Sequence, residues 1–343
     1  MRIGIATPTL VDGDAVGNDV VGMYLSLKRE GHNVFLFAEN NHMPLIVNSF
    51  SQVGSVNLDV YIYHHSIGCD LGVKWLSDLK CRRIVKYHNI TPPHFFPSNT
   101  GIVNNVNKGL GQLNTILNLP CEIWADSEFN GQDLCKVKPC NYKVIPPFHH
   151  VDLLLTGTTD NKFVNNYNDW NTNILMVGRL APNKDILEGV EGFAKYNQRN
   201  KHSRLLIVGD GFGDYANKVR EKINQLGLND KITITGKVDT GALKALYLVS
   251  DLLLITSKHE GFCVPMIEAM AFNLPVIANR HCALPYTGGD AVHYTNNPDE
   301  IADGIAYVLD NKTHYIDRGR KMFREKYQNS NIDSLFLTSI QAR

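Results

Sequence analysis

Short apolar runs alternate with helix-spaced segments along the whole 343-residue chain, and this alternation limits the fold more than any other feature. In the first half the strand-like runs are 2–8, 34–38, 59–64, 83–87, 122–126 and a short last one at 143–148. In the second half they are 173–180, 204–208, 231–236, 251–256 and 274–279. Helical spacing fills segments between them, as at 20–30 and about 239–249, and the last stretch, 312–343, also reads as helical. Strands alternating with helices predict an α/β chain with parallel, doubly wound sheets. In such sheets ligands sit at the carboxyl ends of the strands. The polar segment 149–171 reads as a connection, which places an N-terminal domain over 1–155 and a second over 165–321. The length is enough for two cores.

Lys+Arg and Asp+Glu both number 34, so the net charge is zero and a nucleic-acid partner is not expected. A local basic patch could still meet a membrane surface. Seven cysteines with no C-x-x-C pair fit free thiols in a reducing compartment. Met1 opens directly into a strand, and no apolar run approaches the ~20 residues of a membrane span. The expectation is a cytoplasmic protein, with peripheral contact at the inner membrane face left open.

One stretch concentrates charge and turn chemistry. The strand-like Asp251–Thr256 run leads into Ser257-Lys258-His259-Glu260-Gly261-Phe262-Cys263-Val264-Pro265, and Pro265 stands where a helix would begin. Free N–H groups and the helix dipole at such a point favour an anion. Glu260 falls in the loop and Glu268 in the first helical turns, with seven residues between them. Together they suit a ligand with polyhydroxylated ends and an anionic middle, the shape of a sugar–diphosphate–nucleoside. Each alone also reads as an ordinary surface glutamate.

Other strand ends add candidates. Gly178-Arg179 closes one run and Lys184-Asp185 opens the next helix, so Arg179 and Lys184 are placed to neutralise a diphosphate leaving group. An Arg fork and a Lys point charge are not interchangeable there. The glycine turn Gly209–Gly213 is a weak dinucleotide signal, because it follows the second strand of its domain and lacks the third Gly at the required spacing. Gly17-Asn18 sits at the expected start of a helix and suits close backbone approach to a ligand. Asp12-Gly13-Asp14 mimics a D-x-D metal motif, and turn chemistry explains it as well. His88 ends a strand ahead of Pro92-Pro93 and is placed to reach a cleft. His64, His65, Asp126 and Ser127 are lesser candidates at neighbouring strand ends.

The 260–268 stretch resembles the E-x7-E motif of retaining glycosyltransferases of family 4, which have the GT-B fold. The Gly178–Asp185 segment is similar to that family's G-R-x-x-x-x-K-G, with Asp185 in place of the last Gly. Gly209 matches its Val-Gly-x-Gly turn, and Gly17-Asn18 a glycine-rich loop, with Asn18 for the second Gly. The resemblance implies two Rossmann-like domains facing across a cleft, with the last helix, about 322–343, crossing back to the first. It implies that Glu268 holds the ribose hydroxyls. Glu260, with Gly261 and the N–H groups of Phe262, Cys263 and Val264, would hold sugar and phosphate. Arg179 and Lys184 would hold the diphosphate, Gly236 and Val238 the base, and His88 the sugar or acceptor. Neither a metal nor another cofactor is implied, nor a covalent intermediate. The chain also looks like bacterial polysaccharide-assembly enzymes, including cyanobacterial ones that build heterocyst-envelope polysaccharide. That suggests a hexose, glucose from UDP-glucose, moved to a glycan or lipid-linked acceptor. A nucleotide-sugar epimerase on the same fold, an NAD-dependent oxidoreductase built on Gly209–Gly213 and a silent binding subunit remain alternatives.

Overall fold

The computed structural model describes residues 1–11, 13–96, 99–211 and 213–342. Asp12 of the D-x-D-like turn, Phe212 of the glycine turn and Arg343 at the chain end lie outside them, as do Pro97 and Ser98. The chain divides into two compact units, Met1–His149 with Gln328–Arg343, and His150–Tyr327.

The first unit is built on seven parallel strands: β1 (Arg2–Leu10), β2 (Asn33–Asn41), β3 (Asn48–Ser49), β4 (Val60–His65), β5 (Arg82–Tyr87), β6 (Glu122–Ala125) and β7 (Lys143–Val144). Their order is β3-β2-β1-β4-β5-β6-β7. Strands buried on both faces read as continuous apolar runs rather than alternating ones, as β1 and β4 do. The run 143–148 pairs only over two residues, since Pro146 and Pro147 have no N–H to give a ladder. The first helix begins earlier than the spacing suggested. It spans Ala15–Arg29, so Gly17 and Asn18 lie inside its first turn. A Cβ on Gly17 would stand 2.3 Å from the Val11 carbonyl oxygen, which explains why the helix takes glycine there.

The last helix, Asn329–Gln341, belongs to this unit. Ile332, Phe336 and Ile340 are buried with Trp124 and Phe148, and the Phe336 ring meets both aromatic rings edge-on at 6.0 and 5.7 Å. Arg82 reaches the helix's terminal carbonyls at Ser339 and Ile340 while pairing with Glu122 at 2.6 Å. A cation on those orphan carbonyls also complements the helix dipole.

The second unit is built on six parallel strands: β8 (Thr172–Val177), β9 (Ser203–Val208), β10 (Ile232–Gly236), β11 (Leu252–Ile255), β12 (Val276–Asn279) and β13 (Val292–Thr295). They lie in the order β10-β9-β8-β11-β12-β13, with Leu252 and Leu253 in register with Ile174 and Leu175. The strand order reverses at β8 and β11, so a crevice opens beyond their carboxyl ends. The polar stretch 149–171 is more than a connection. It carries the helices Val151–Thr156 and Asn161–Tyr167. Val151 and Leu154 are fully buried in this unit's core, and Lys244 Nζ donates to the carbonyls of Leu155 and Gly157 at 2.6 and 2.8 Å. Among the described residues no helix is long and apolar enough to cross a membrane.

Candidate functional site

The loops after β8 and β11 leave their sheet side by side, and the backbone ties them together. The Asn183 carbonyl accepts from the N–H groups of Lys258 and His259 at 2.9 and 3.3 Å. Thr256 Oγ1 donates to the carbonyl of Asp185 at 2.8 Å. A short 3₁₀ turn, Pro182–Lys184, aims the Lys184 stem, and Asp185 then takes a left-handed conformation at φ 44°, ψ 51°. That is the position where the sequence comparison lacked its glycine. Aspartate is one of the few other residues that tolerate this region. Its carboxylate meets Lys258 Nζ at 2.5 Å.

Lys184 Nζ stands 2.5 Å from Glu260 Oε1, and Ser257 Oγ donates to the same oxygen at 2.8 Å. Burial would push the Lys184 ammonium down, but Glu260 beside it holds it above its ordinary value. Arg179 is exposed beside this pair and forms no ion pair among the described residues. Cys263 precedes the Val264–Ala271 helix at φ 82°, ψ 75°, an unusual conformation for a buried side chain. Strain of that kind gathers at ligand sites. The main-chain N–H groups of Cys263 and Val264 have no partner inside the helix, as at any helix start, and Pro265 has none to offer. Gly209 closes the neighbouring corner at φ 143°, and a Cβ there would stand 2.2 Å from the Gly178 carbonyl oxygen. Its N–H donates to the Gly236 carbonyl at 3.0 Å, and Asp210 takes the Lys237 N–H at 2.7 Å. Val238 follows, half-buried against the core.

Glu268 lies inside the helix and is buried. Tyr247 donates its hydroxyl to Oε2 at 2.5 Å, and His150 Nε2 stands 3.2 Å from Oε1. Burial and the adjacent carboxylate push the Tyr247 phenol well up, so it stays a donor.

In the first unit His88 joins a buried cluster. Its Nδ1 meets Asp126 Oδ2 at 2.8 Å and its Nε2 meets His64 Nδ1 at 2.7 Å, so both ring nitrogens are engaged. Lys86 Nζ pairs with Asp126 at 2.7 Å and also donates to the Ile145 carbonyl. Asp19 Oδ1 accepts from the Phe148 N–H at 2.9 Å. Burial raises the Asp19 carboxyl to about 6 and, with the neighbouring His88 and Lys86, drives the His64 imidazole well down. Burial pushes Asp126 up, but His88 and Lys86 hold it below its ordinary value. Asp19, His64 and His88 are the group among the described residues whose ligand atoms converge closely enough to hold a metal ion. The direct His64–His88 contact and the Lys86 ammonium 3.9 Å from Asp19 Oδ2 instead make a hydrogen-bonded network with a cation already in it. His65 turns away from the cluster, toward Tyr63 and the Gly109 carbonyl. A separate cavity of about 490 Å³ opens at the ends of β1 and β2, with Glu39, Asn40, Asp70, Asn105 and Lys108 on its walls.

Residues 158–329, half of the chain, match the family model of the glycosyl transferases group 1. The chain belongs to this family. An uncharacterised glycosyltransferase of Methanocaldococcus jannaschii is 32% identical over 166 residues, which are 46% of this chain and 42% of that protein. The O-antigen chain mannosyltransferase of Salmonella typhimurium is 35% identical over 126 residues, 37% of this chain and 35% of that protein. The matched stretch thus spans less than half the length of these relatives. HepE of Anabaena, solved in complex with UDP and glucose, superposes with a TM-score of 0.77 over 99% of both chains at 16% identity. That likeness is one of fold, and the fold is GT-B, as expected from the sequence. Within this group 1 glycosyl transferase, Lys184, Glu260 and Glu268 all fall in the matched segment. Tyr247 and His150, which grip Glu268, escaped sequence reading. So did Asp19 and Lys86 beside His88. A lone acid on the buried face of the Ala15–Arg29 helix was the available signal for Asp19.

Proposed function

We infer that the chain transfers a hexose from a nucleotide diphosphate sugar to a hydroxyl of a glycan or lipid-linked acceptor, with retention at the anomeric carbon. The observation that carries this is the Lys184–Glu260 contact at the β8/β11 crevice, beside the N-terminus of the Val264–Ala271 helix and inside the family match. The bond from the anomeric carbon to the diphosphate breaks, and one from the acceptor oxygen to that carbon forms. The acceptor's proton passes to the leaving phosphate, and the nucleoside diphosphate departs. Negative charge grows on that phosphate, so fixed cations and N–H dipoles aimed at it lower the barrier. Lys184, Arg179 and the Cys263–Val264 N–H groups fill that role without a metal ion. Glu260, released from Lys184 by the incoming phosphate, turns to the sugar hydroxyls, and Glu268 takes the ribose. The base lies against the main chain near Gly236 and Val238. UDP-glucose is the proposed donor, in keeping with the UDP and glucose complex of HepE. The acceptor side is assigned to the first unit, where the Glu39–Lys108 cavity offers hydroxyl partners.

A panel of sugar nucleotides, UDP-glucose and GDP-mannose among them, tests this through slow hydrolysis without acceptor. One donor should be cleaved, and Glu260→Ala should lose tens-fold or more of that rate, as expected for a charge-assisted hydrogen bond worth about 1.5–3 kcal/mol. No cleavage of any donor, or full activity in Glu260→Ala, sinks the reading.

A further inference from the structure

Glu268 is held by two groups that contact different oxygens of one carboxylate. Tyr247 donates to Oε2 at 2.5 Å and His150 Nε2 faces Oε1 at 3.2 Å. A carboxylate offers about four lone-pair positions over its two oxygens. One on each oxygen is therefore engaged and one on each remains, which is the pattern that a vicinal diol fills with two parallel hydrogen bonds. The grip is itself fixed. Tyr247 is buried in the Thr240–Val249 helix, and its ring stacks on Phe272 at 5.2 Å and 8°. His150 stands half-buried at the start of the Val151–Thr156 helix, whose Val151 and Leu154 anchor in the same core as Met266 and Ile267. With neither partner, the carboxylate plane would be free to turn about the glutamate's last bond, a soft torsion.

We propose that Tyr247 and His150 are positioning residues that set the plane of the Glu268 carboxylate for the ribose 2′- and 3′-hydroxyls of the nucleotide. They act through Glu268 and touch no reacting atom. The inference rests on the nucleotide-binding reading above, and its test separates the two. Calorimetry on the full chain compares UDP and GDP, each with its 2′-deoxy form. The wild-type protein should prefer the ribonucleotide roughly tenfold. Tyr247→Phe keeps the stacked ring and removes only the hydroxyl. It should weaken ribonucleotide binding several-fold, leave the deoxy form nearly unmoved and bring the ratio close to one. A role confined to packing would weaken both nucleotides alike and keep the ratio. His150→Ala, at a partly exposed position, should lower the ratio too, and it decides the matter alone if Tyr247→Phe fails to fold. If Glu268→Gln collapses the ratio while both positioning variants keep it, this inference is wrong and the site reading stands. If Glu268→Gln also keeps it, or the wild-type protein binds neither nucleotide, both fall.

Discussion

Lys184 and Glu260 neutralise each other, so neither charge stands bare. A buried ammonium without a partner would be costly. On the function proposed above, a diphosphate that displaces the carboxylate would inherit a cation already desolvated, and exposed Arg179 would add a second charge. The two glutamates stood out by their spacing around Gly261 and Pro265, and the fold sets Glu260 in the loop against Lys184 and Glu268 in the helix against Tyr247. Tyr247 did not stand out. In an apolar helix a tyrosine reads as core, and only the fold reveals that its hydroxyl meets Glu268. His88 was legible as a strand-end histidine, but its engagement by Asp126 and His64 depends on three strands meeting. His65 supports a prediction at this scale. Burial pushes its imidazole down to about 4 from an ordinary 6.5. Between those values the unfolded chain binds the extra proton, so stability present above pH 6.5 is lost as pH falls toward 4. From pH 7 to 5 this one residue should cost about 2 kcal/mol. His65→Gln should flatten the fall in urea midpoint over that range, followed by tryptophan fluorescence. Trp75 and Trp124 lie in the same unit as His65. An acid slope equal to the wild-type one would refute the assignment.

Among the elements, the turn from β8 into the Ile186–Arg199 helix decides where Lys184 points. The pattern of apolar runs located β8 and β11, and the doubly wound order puts their loops at the reversal point. Helix starts were legible near Asp239 and Pro265 but not everywhere. The Ala15–Arg29 helix holds Gly17 in its first turn, packed on the Val11 carbonyl, a contact made only after folding. The helices Val151–Thr156 and Asn161–Tyr167 were hidden by a polar, Thr- and Asn-rich composition, although Leu154 anchors one of them in the core. At Asp185 the backbone demands a left-handed residue, and the buried carboxylate pairs with half-exposed Lys258, accepts from the Tyr215 hydroxyl at 3.5 Å and adds to the burial that raises the Glu188 carboxyl beside it. Losing those contacts costs stability, and the loss is offset in part because glycine carries no steric penalty at positive φ. Asp185→Gly should therefore cost less than about 2 kcal/mol of stability and keep nucleotide affinity. Asp185→Val should cost about 2 kcal/mol or more, because a β-branched residue is a poor fit there, and weaken nucleotide binding as Lys184 shifts. Urea unfolding and calorimetry read both, and a stable, tightly binding valine variant would mean that the turn does not set Lys184.

For the molecule as a whole, the family match and the fold match cover different things. The family model takes residues 158–329, nearly all of the unit His150–Tyr327, whereas the likeness to HepE spans 99% of the chain at 16% identity. The family match thus rests on one unit, whereas the likeness of fold covers both. Each unit has its own apolar core, and the chain end completes the first one: Phe336 fills the space against Trp124 and Phe148. Removing that ring should cost about 3–5 kcal/mol, and the loss should stay where the ring packs. Hydrogen exchange followed by mass spectrometry resolves this by segment. In Phe336→Ala, protection should fall in β1, β5, β6 and the Asn329–Gln341 helix, and should hold in β8 and β11. Saturating UDP, at a hundred times its Kd, should add about 2.7 kcal/mol of protection to the unit that binds it, centred on β8, β11 and the Val264–Ala271 helix, in both the wild-type and the variant protein. If UDP protects β1 and β4 and leaves β8 and β11 unchanged, the nucleotide sits in the first unit, and the assignment of Lys184, Glu260 and Glu268 to the donor is wrong.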